Sequence, residues 1–168
     1  MNNLTLINIF RFIGLVLLQV VVFNHINLFG FINPLIYIAW IFLYPFRKNI
    51  SLFLIVSFAL GLCVDFFSDS GGINAAATLL IAYIRYPILK IVLKRSDIDF
   101  LLFNIRTVPF GKAIAFISVL TIIHHFTIFS FAYFSFNNFL SIVSNTLLTS
   151  FFTVLIIILG ILLLTKKK

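Results

Sequence analysis

The chain is divided into apolar runs of nearly bilayer length, and that division constrains its fold more than any short motif does. The runs fall at about residues 6–23, 28–46, 50–67, 74–93, 113–134 and 141–165, with short polar stretches between them. A helix rises ~1.5 Å per residue, so ~20 residues cross the ~30 Å hydrocarbon core. Inside that core each backbone N–H and C=O has to be bonded within the protein, which makes helices the spanning form for runs of this kind. Only 10% of the residues are charged and 62% are hydrophobic, whereas soluble domains carry ~25% charged residues. The expected fold is an all-α membrane protein, a six-transmembrane-helix bundle forming a single integral membrane domain over residues 1–168.

Basic residues order the runs across the bilayer. Arg11, the pair Arg47 and Lys48, the group Lys90, Lys94, Arg95, Arg106 and Lys112, and the tail Lys166 to Lys168 all fall on one set of connections. The other set, around residues 24–31, 68–73 and 135–140, has no Lys or Arg. Eleven against none puts both termini in the cytoplasm by the positive-inside rule. The net charge of +8 is thus a topology signal and not a nucleic-acid footprint, because no basic stripe interleaved with aromatics occurs. Asn24, His25, Ile26 and Asn27 follow the first run where a signal peptide would have small residues, so that run is expected to be a retained span.

The third to sixth runs each carry a polar or small stripe. In the third, Ser57, Gly61, Asp65 and Ser68 recur at intervals of four, four and three, on one helical face. A carboxylate at Asp65 is costly in a bilayer unless it faces protein, water or a partner. Gly71 and Gly72 predict a tight turn after it, and Asn74 is placed to cap the fourth helix. That helix aligns Asn74, Thr78, Ala82 and Arg85, and Pro87 is expected to kink or interrupt it ahead of an amphipathic, interfacial continuation over residues 88–95. In the second run Asn33 and Pro34 predict an irregular start or a first helical turn, followed by an aromatic stripe, Tyr37, Trp40 and Tyr44, read as packing or an interfacial belt. The fifth aligns Ser118, Thr121 and His125, with His124 a quarter circle away, and the sixth aligns Ser141, Asn145, Thr149 and Thr153.

Nothing in the sequence reads as hydrolytic, phosphoryl-transfer or redox machinery. Glutamate is missing altogether, and no catalytic, cofactor-binding or metal-binding set is expected. The lone Cys63 excludes an intrachain disulfide and reads as a small packing residue. Arg85 and the pair His124 and His125 each lie roughly 16 Å from a helix end at ~1.5 Å per residue, near a common depth. The favoured reading has them hydrogen-bonding neighbouring helices or carbonyls; the alternative is a proton relay.

Gly61, Asp65, Ser68, Gly72 and Ala75 in their order and spacing resemble the signature of the MreD family of rod shape-determining membrane proteins. Asn33, Pro34, Leu35 and Tyr37, and Pro45 ahead of the basic pair, fit that family's second segment, and the His124 and His125 pair resembles one of its branches. That branch often carries an acid near position 132, where this chain has Ala132. The resemblance implies a non-catalytic scaffold of the cell-wall elongation complex in the bacterial inner membrane, contributing to cell shape. It also implies partners: an MreC-like bitopic protein, an MreB-like filament and wall-synthesis enzymes, with no cofactor and no nucleic acid. The implied fold resembles the substrate-binding membrane subunits of energy-coupling-factor transporters. That likeness supplies the alternative function, a vitamin-like small-molecule binding subunit with a polar pocket around Asp65, Asp69 and Asn74. Pro34, Gly61, Asp65, Ser68, Gly72, Asn74, Arg85, His124 and His125 are the candidates for motif, packing or partner roles.

Overall fold

A computed structural model describes residues 3–28, 30, 32–45, 49–94, 108–134 and 138–163. Five long helices dominate it: α1 (Asn3–Val21), α3 (Ile50–Ser68), α4 (Ile73–Leu93), α5 (Phe110–Tyr133) and α6 (Phe139–Leu163). All five are long and apolar enough to cross a membrane. Their lipid-side faces carry Phe, Leu and Ile, such as Phe10, Ile55, Phe66, Ile91 and Phe151, while hydroxyls, amides and imidazoles turn inward. Successive helices pack as antiparallel neighbours, α3 on α4, α4 on α5 and α5 on α6, with α1 resting on α3.

The run at 28–46 departs from the six-helix expectation. Its described part has no regular secondary structure at residues 33–35, then a three-residue 3₁₀ turn (Ile36–Ile38) leads into a five-residue helix, α2 (Ala39–Leu43), eight helical residues in all. The local causes are legible. Gly30 sits at φ +85, Pro34 has no N–H to give a helix and disfavours helical backbone at Asn33, and Pro45 ends the segment. Eight helical residues rise only ~12 Å, too little to span alone.

What makes this piece tolerable is its position. Ile36, Tyr37, Ile38, Ala39, Trp40, Ile41 and Phe42 are all buried, so irregular backbone at this point meets protein and not lipid. Trp40 packs edge-on to Phe12 of α1 and stacks with Phe53 of α3, and Phe42 meets Phe116 of α5. The aromatic stripe is therefore core packing and not an interfacial belt. α2 is the centre of the bundle, and the long helices enclose it.

One smaller expectation is corrected, and others fall on residues outside the described set. Pro87 does not interrupt α4, which is continuous from Ile73 to Leu93 and closes with Lys94 in a left-handed conformation. Residues 95–107, which hold most of the expected cytoplasmic connection, lie outside the described set, as do Arg47, Lys48 and the lysine tail.

Candidate functional site

The residues of the 61–75 stretch close into a clasp between α3 and α4. Asp69 (φ 50), Gly71 (φ 63) and Gly72 (φ 92) turn the chain sharply, so α4 starts beside the end of α3. Gly61 lets the two backbones touch: a Cβ there would lie 2.6 Å from Ala75 Cα and 2.6 Å from the Asn74 carbonyl oxygen. Asp65, only 4% exposed, then reaches the unpaired N–H groups at the start of α4. Its Oδ1 accepts from Asn74 N–H at 2.9 Å, Asn74 Nδ2 at 3.0 Å and Ser70 Oγ at 2.5 Å, and its Oδ2 accepts from Ala75 N–H at 2.7 Å. Four donors and the positive end of α4 stabilise the buried carboxylate. Asp65 thus performs the capping that the sequence assigns to Asn74, because Asn74 already lies inside the helix.

Asn74 hands the network inward. With its Nδ2 committed to Asp65 and Ser70, its Oδ1 accepts the Tyr37 hydroxyl proton at 3.0 Å. Thr78 has spent its own proton on the Asn74 carbonyl at 2.6 Å. The contact between Tyr37 Oη and His124 Nε2 at 3.0 Å must then be an Nε2–H donating to the phenol oxygen. Hydrogen bonds therefore all point one way, from His124 through Tyr37 and Asn74 to Asp65. His124 Nδ1 is buried and has no hydrogen bond among the described residues.

His125 takes the opposite tautomer. Its Nδ1 faces the Thr121 carbonyl at 2.9 Å and has to donate, so its Nε2 accepts from Thr153 Oγ1 at 3.2 Å. Thr153 in turn accepts from Leu35 N–H at 3.2 Å. One histidine ties α5 to α4 through Tyr37, and the other ties α5 to α6.

Both ends of the buried eight-residue piece are closed by side chains from elsewhere. At its start, Gln19 Oε1 accepts from Ile36 N–H at 2.8 Å, and Gln19 Nε2 donates to the Pro34 carbonyl at 3.2 Å. At its finish, Arg85 Nη2 donates to the Tyr44 carbonyl, and the guanidinium lies 5.1 Å from the Phe53 ring centroid. Arg85 and the histidine pair therefore serve opposite ends of α2, although helix depth had placed them together. Gln19 escapes sequence reasoning because the first run has only two amides, Asn8 and Gln19, eleven residues apart and too sparse to mark a stripe. The only available signal was its fully apolar setting.

Above the clasp lies a cavity of about 490 Å³, lined among others by Asn24, Asn33, Ser68, Phe67, Phe129 and Thr149, with Asn74 at its floor. It opens at the end of the bundle that carries the Lys/Arg-free connections. Ser68, exposed, accepts from Asn24 Nδ2 at 2.8 Å, and Gly72 serves as the left-handed residue preceding α4. Of the sequence candidates, Gly61, Asp65, Gly72 and Asn74 converge on the clasp, Ser68 stands at the cavity rim, His124 joins through Tyr37, and Pro34 with His125 meets the start of α2. Arg85 alone lies apart. Among the described residues no group of three or more His, Cys, Asp or Glu side chains is placed to hold a metal.

No protein-family model, curated protein or solved structure matches the chain.

Proposed function

We propose that the protein is a non-catalytic, multi-pass scaffold of the bacterial cell-wall elongation complex, resembling MreD and sharing the bundle type of energy-coupling-factor substrate subunits. The observation that supports this reading is the clasp. Four of the five residues behind the resemblance, Gly61, Asp65, Gly72 and Ala75, gather with Asn74 into one helix junction, while the fifth, Ser68, stands at the cavity rim. A scaffold needs fixed helix surfaces, and an interior cross-linked by directed hydrogen bonds holds the outer faces in register. Its partners are an MreC-like bitopic protein, an MreB-like filament and wall-synthesis enzymes, met through helix faces and short connections.

Expression in a rod-shaped bacterium depleted of its own MreD tests the proposal. Recovery of rod shape, with wall-synthesis proteins co-purifying from membranes, is the expected result. Spherical cells despite normal membrane abundance would refute it.

A second reading has one observation of its own. The cavity exceeds the ~300 Å³ at which ligand sites begin, and it mixes amide, hydroxyl and aromatic walls. On this reading the bundle binds a small molecule at its Lys/Arg-free end.

A further inference from the structure

The chemistry of the cavity wall narrows what that small molecule would be. Among the described lining residues there is no Lys, Arg, Asp or Glu, and His25 is the one titratable side chain among them. Asp65, reached through Asn74, has both oxygens engaged by four donors and offers nothing to a cation. An ionic ligand would lose its hydration without gaining a counter-charge.

Neutral hydrogen-bonding groups are plentiful instead. Ser68 and Thr149 carry hydroxyls that both donate and accept, and the Asn24 amide, which accepts from Gln19 and donates to Ser68, keeps one N–H and a carbonyl lone pair beside them. Thr149 is only 2% exposed and lines the cavity, and its hydroxyl can both donate to and accept from a ligand. Ser68 accepts from Asn24 and keeps its own proton uncommitted. Phe67 and Phe129 supply flat apolar faces beside these groups, and the electron-rich face of an aromatic ring favours the partly positive C–H surface of a saturated ring.

We propose that this cavity binds an uncharged polyhydroxylated ring, a sugar or cyclic polyol, presented either free in solution or as the head of a glycolipid. The proposal rests on the ligand-binding reading above and is independent of the scaffold reading. The ring's hydroxyls each donate and accept, matching Ser68, Thr149 and the remaining capacity of the Asn24 amide, while its C–H faces lie against the phenylalanines. The volume accommodates a ring with one substituent.

The test uses the full chain in phosphatidylcholine nanodiscs, with thermal unfolding read while probes are added. Glucose and myo-inositol represent the proposed class, gluconate and glucosamine are its charged counterparts, and cyclohexanol is the ring without the hydroxyl set. A second set of nanodiscs contains monoglucosyl diacylglycerol. Glucose or inositol should raise the unfolding midpoint saturably, with gluconate, glucosamine and cyclohexanol giving no shift. Protection by the free ring identifies a soluble source, and protection by the glycolipid alone identifies a lipid head. T149V, close in shape to the original, should weaken binding about tenfold, the loss expected for one neutral hydrogen bond, with the ligand-free midpoint unchanged. S68A should weaken it similarly. Equal protection by gluconate, glucosamine or cyclohexanol would overturn the proposed class while leaving a ligand site in place. Protection by glucose that neither variant reduces would overturn the assignment to this cavity. No protection by any probe or by the glycolipid would overturn both the class and the ligand-binding reading.

Discussion

Replacing Gly61 by alanine adds one methyl group at the closest approach in the bundle. The new Cβ would sit 2.6 Å from Ala75 Cα and 2.7 Å from Ala75 N, and both are backbone atoms that no rotamer change can move. Restoring an ordinary contact of 3.4 Å separates α3 from α4 by about 0.8 Å, the difference between 3.4 and 2.6. Asp65 rides on α3 one turn after Gly61, so its bonds to Asn74 N–H (2.9 Å) and Ala75 N–H (2.7 Å) stretch in the same movement. Overpacking costs ~1–3 kcal/mol, and weakening hydrogen bonds to a charged acceptor costs ~1.5–3 kcal/mol. Alanine returns ~1 kcal/mol of helix propensity, which leaves a net destabilisation of about 3 kcal/mol. At ~2–4 °C per kcal/mol for a chain of this size, the midpoint should fall by roughly 6–12 °C. Thermal unfolding in detergent reads this directly, with Gly160→Ala as the control, since a Cβ at Gly160 in α6 meets nothing within 4 Å. The reasoning is refuted by a Gly61→Ala midpoint equal to wild type, or by an equal loss in the control.

Asp65→Asn leaves four donors facing a single amide oxygen, and a loss of about 3 kcal/mol should appear as early fraying of α4 in hydrogen exchange at residues 73–76. Gln19→Leu strands the Ile36 N–H inside the bundle and should cost ~1–3 kcal/mol in a melting experiment, whereas Gln19→Glu keeps an acceptor there and should cost less. Tyr37→Phe removes the proton given to Asn74 and the oxygen facing His124; a loss of ~1–3 kcal/mol is expected, with the His124 ring proton shifting in NMR and His125 unmoved. His125→Gln, which retains hydrogen-bonding capacity toward Thr153 and Thr121, should preserve rod shape in the depletion strain, and loss of shape at normal abundance would reject a purely structural role.

Hydropathy made the five long helices legible because lipid imposes one solution on a long apolar run. The polar stripes were equally readable: Asn74, Thr78, Ala82 and Arg85 all turn inward as their spacing requires. The clasp was half visible, since the small and acidic positions share a face, yet the Asp65 bonds to α4 depend on the left-handed turn at 69–72. The second segment misled because its hydropathy matches a span while its protein-enclosed position does not show in composition. Once that piece is known to be central, Arg85 and Gln19 become intelligible as groups completing backbone that no regular helix completes. The opposed tautomers of His124 and His125 were beyond reach, being set by which partners had already committed their protons.

The central piece has a consequence for how the protein is made. It emerges from the ribosome second, and although Gln19 precedes it, the other side chains that close it belong to Arg85 and Thr153, synthesised 41 and 118 residues beyond the groups they meet. A stretch with so little helix has no stable home in lipid by itself. Translation must therefore run past the middle of α6 before residues 33–45 can settle, so chains truncated ahead of Thr153 should expose this segment to proteases and quality-control machinery.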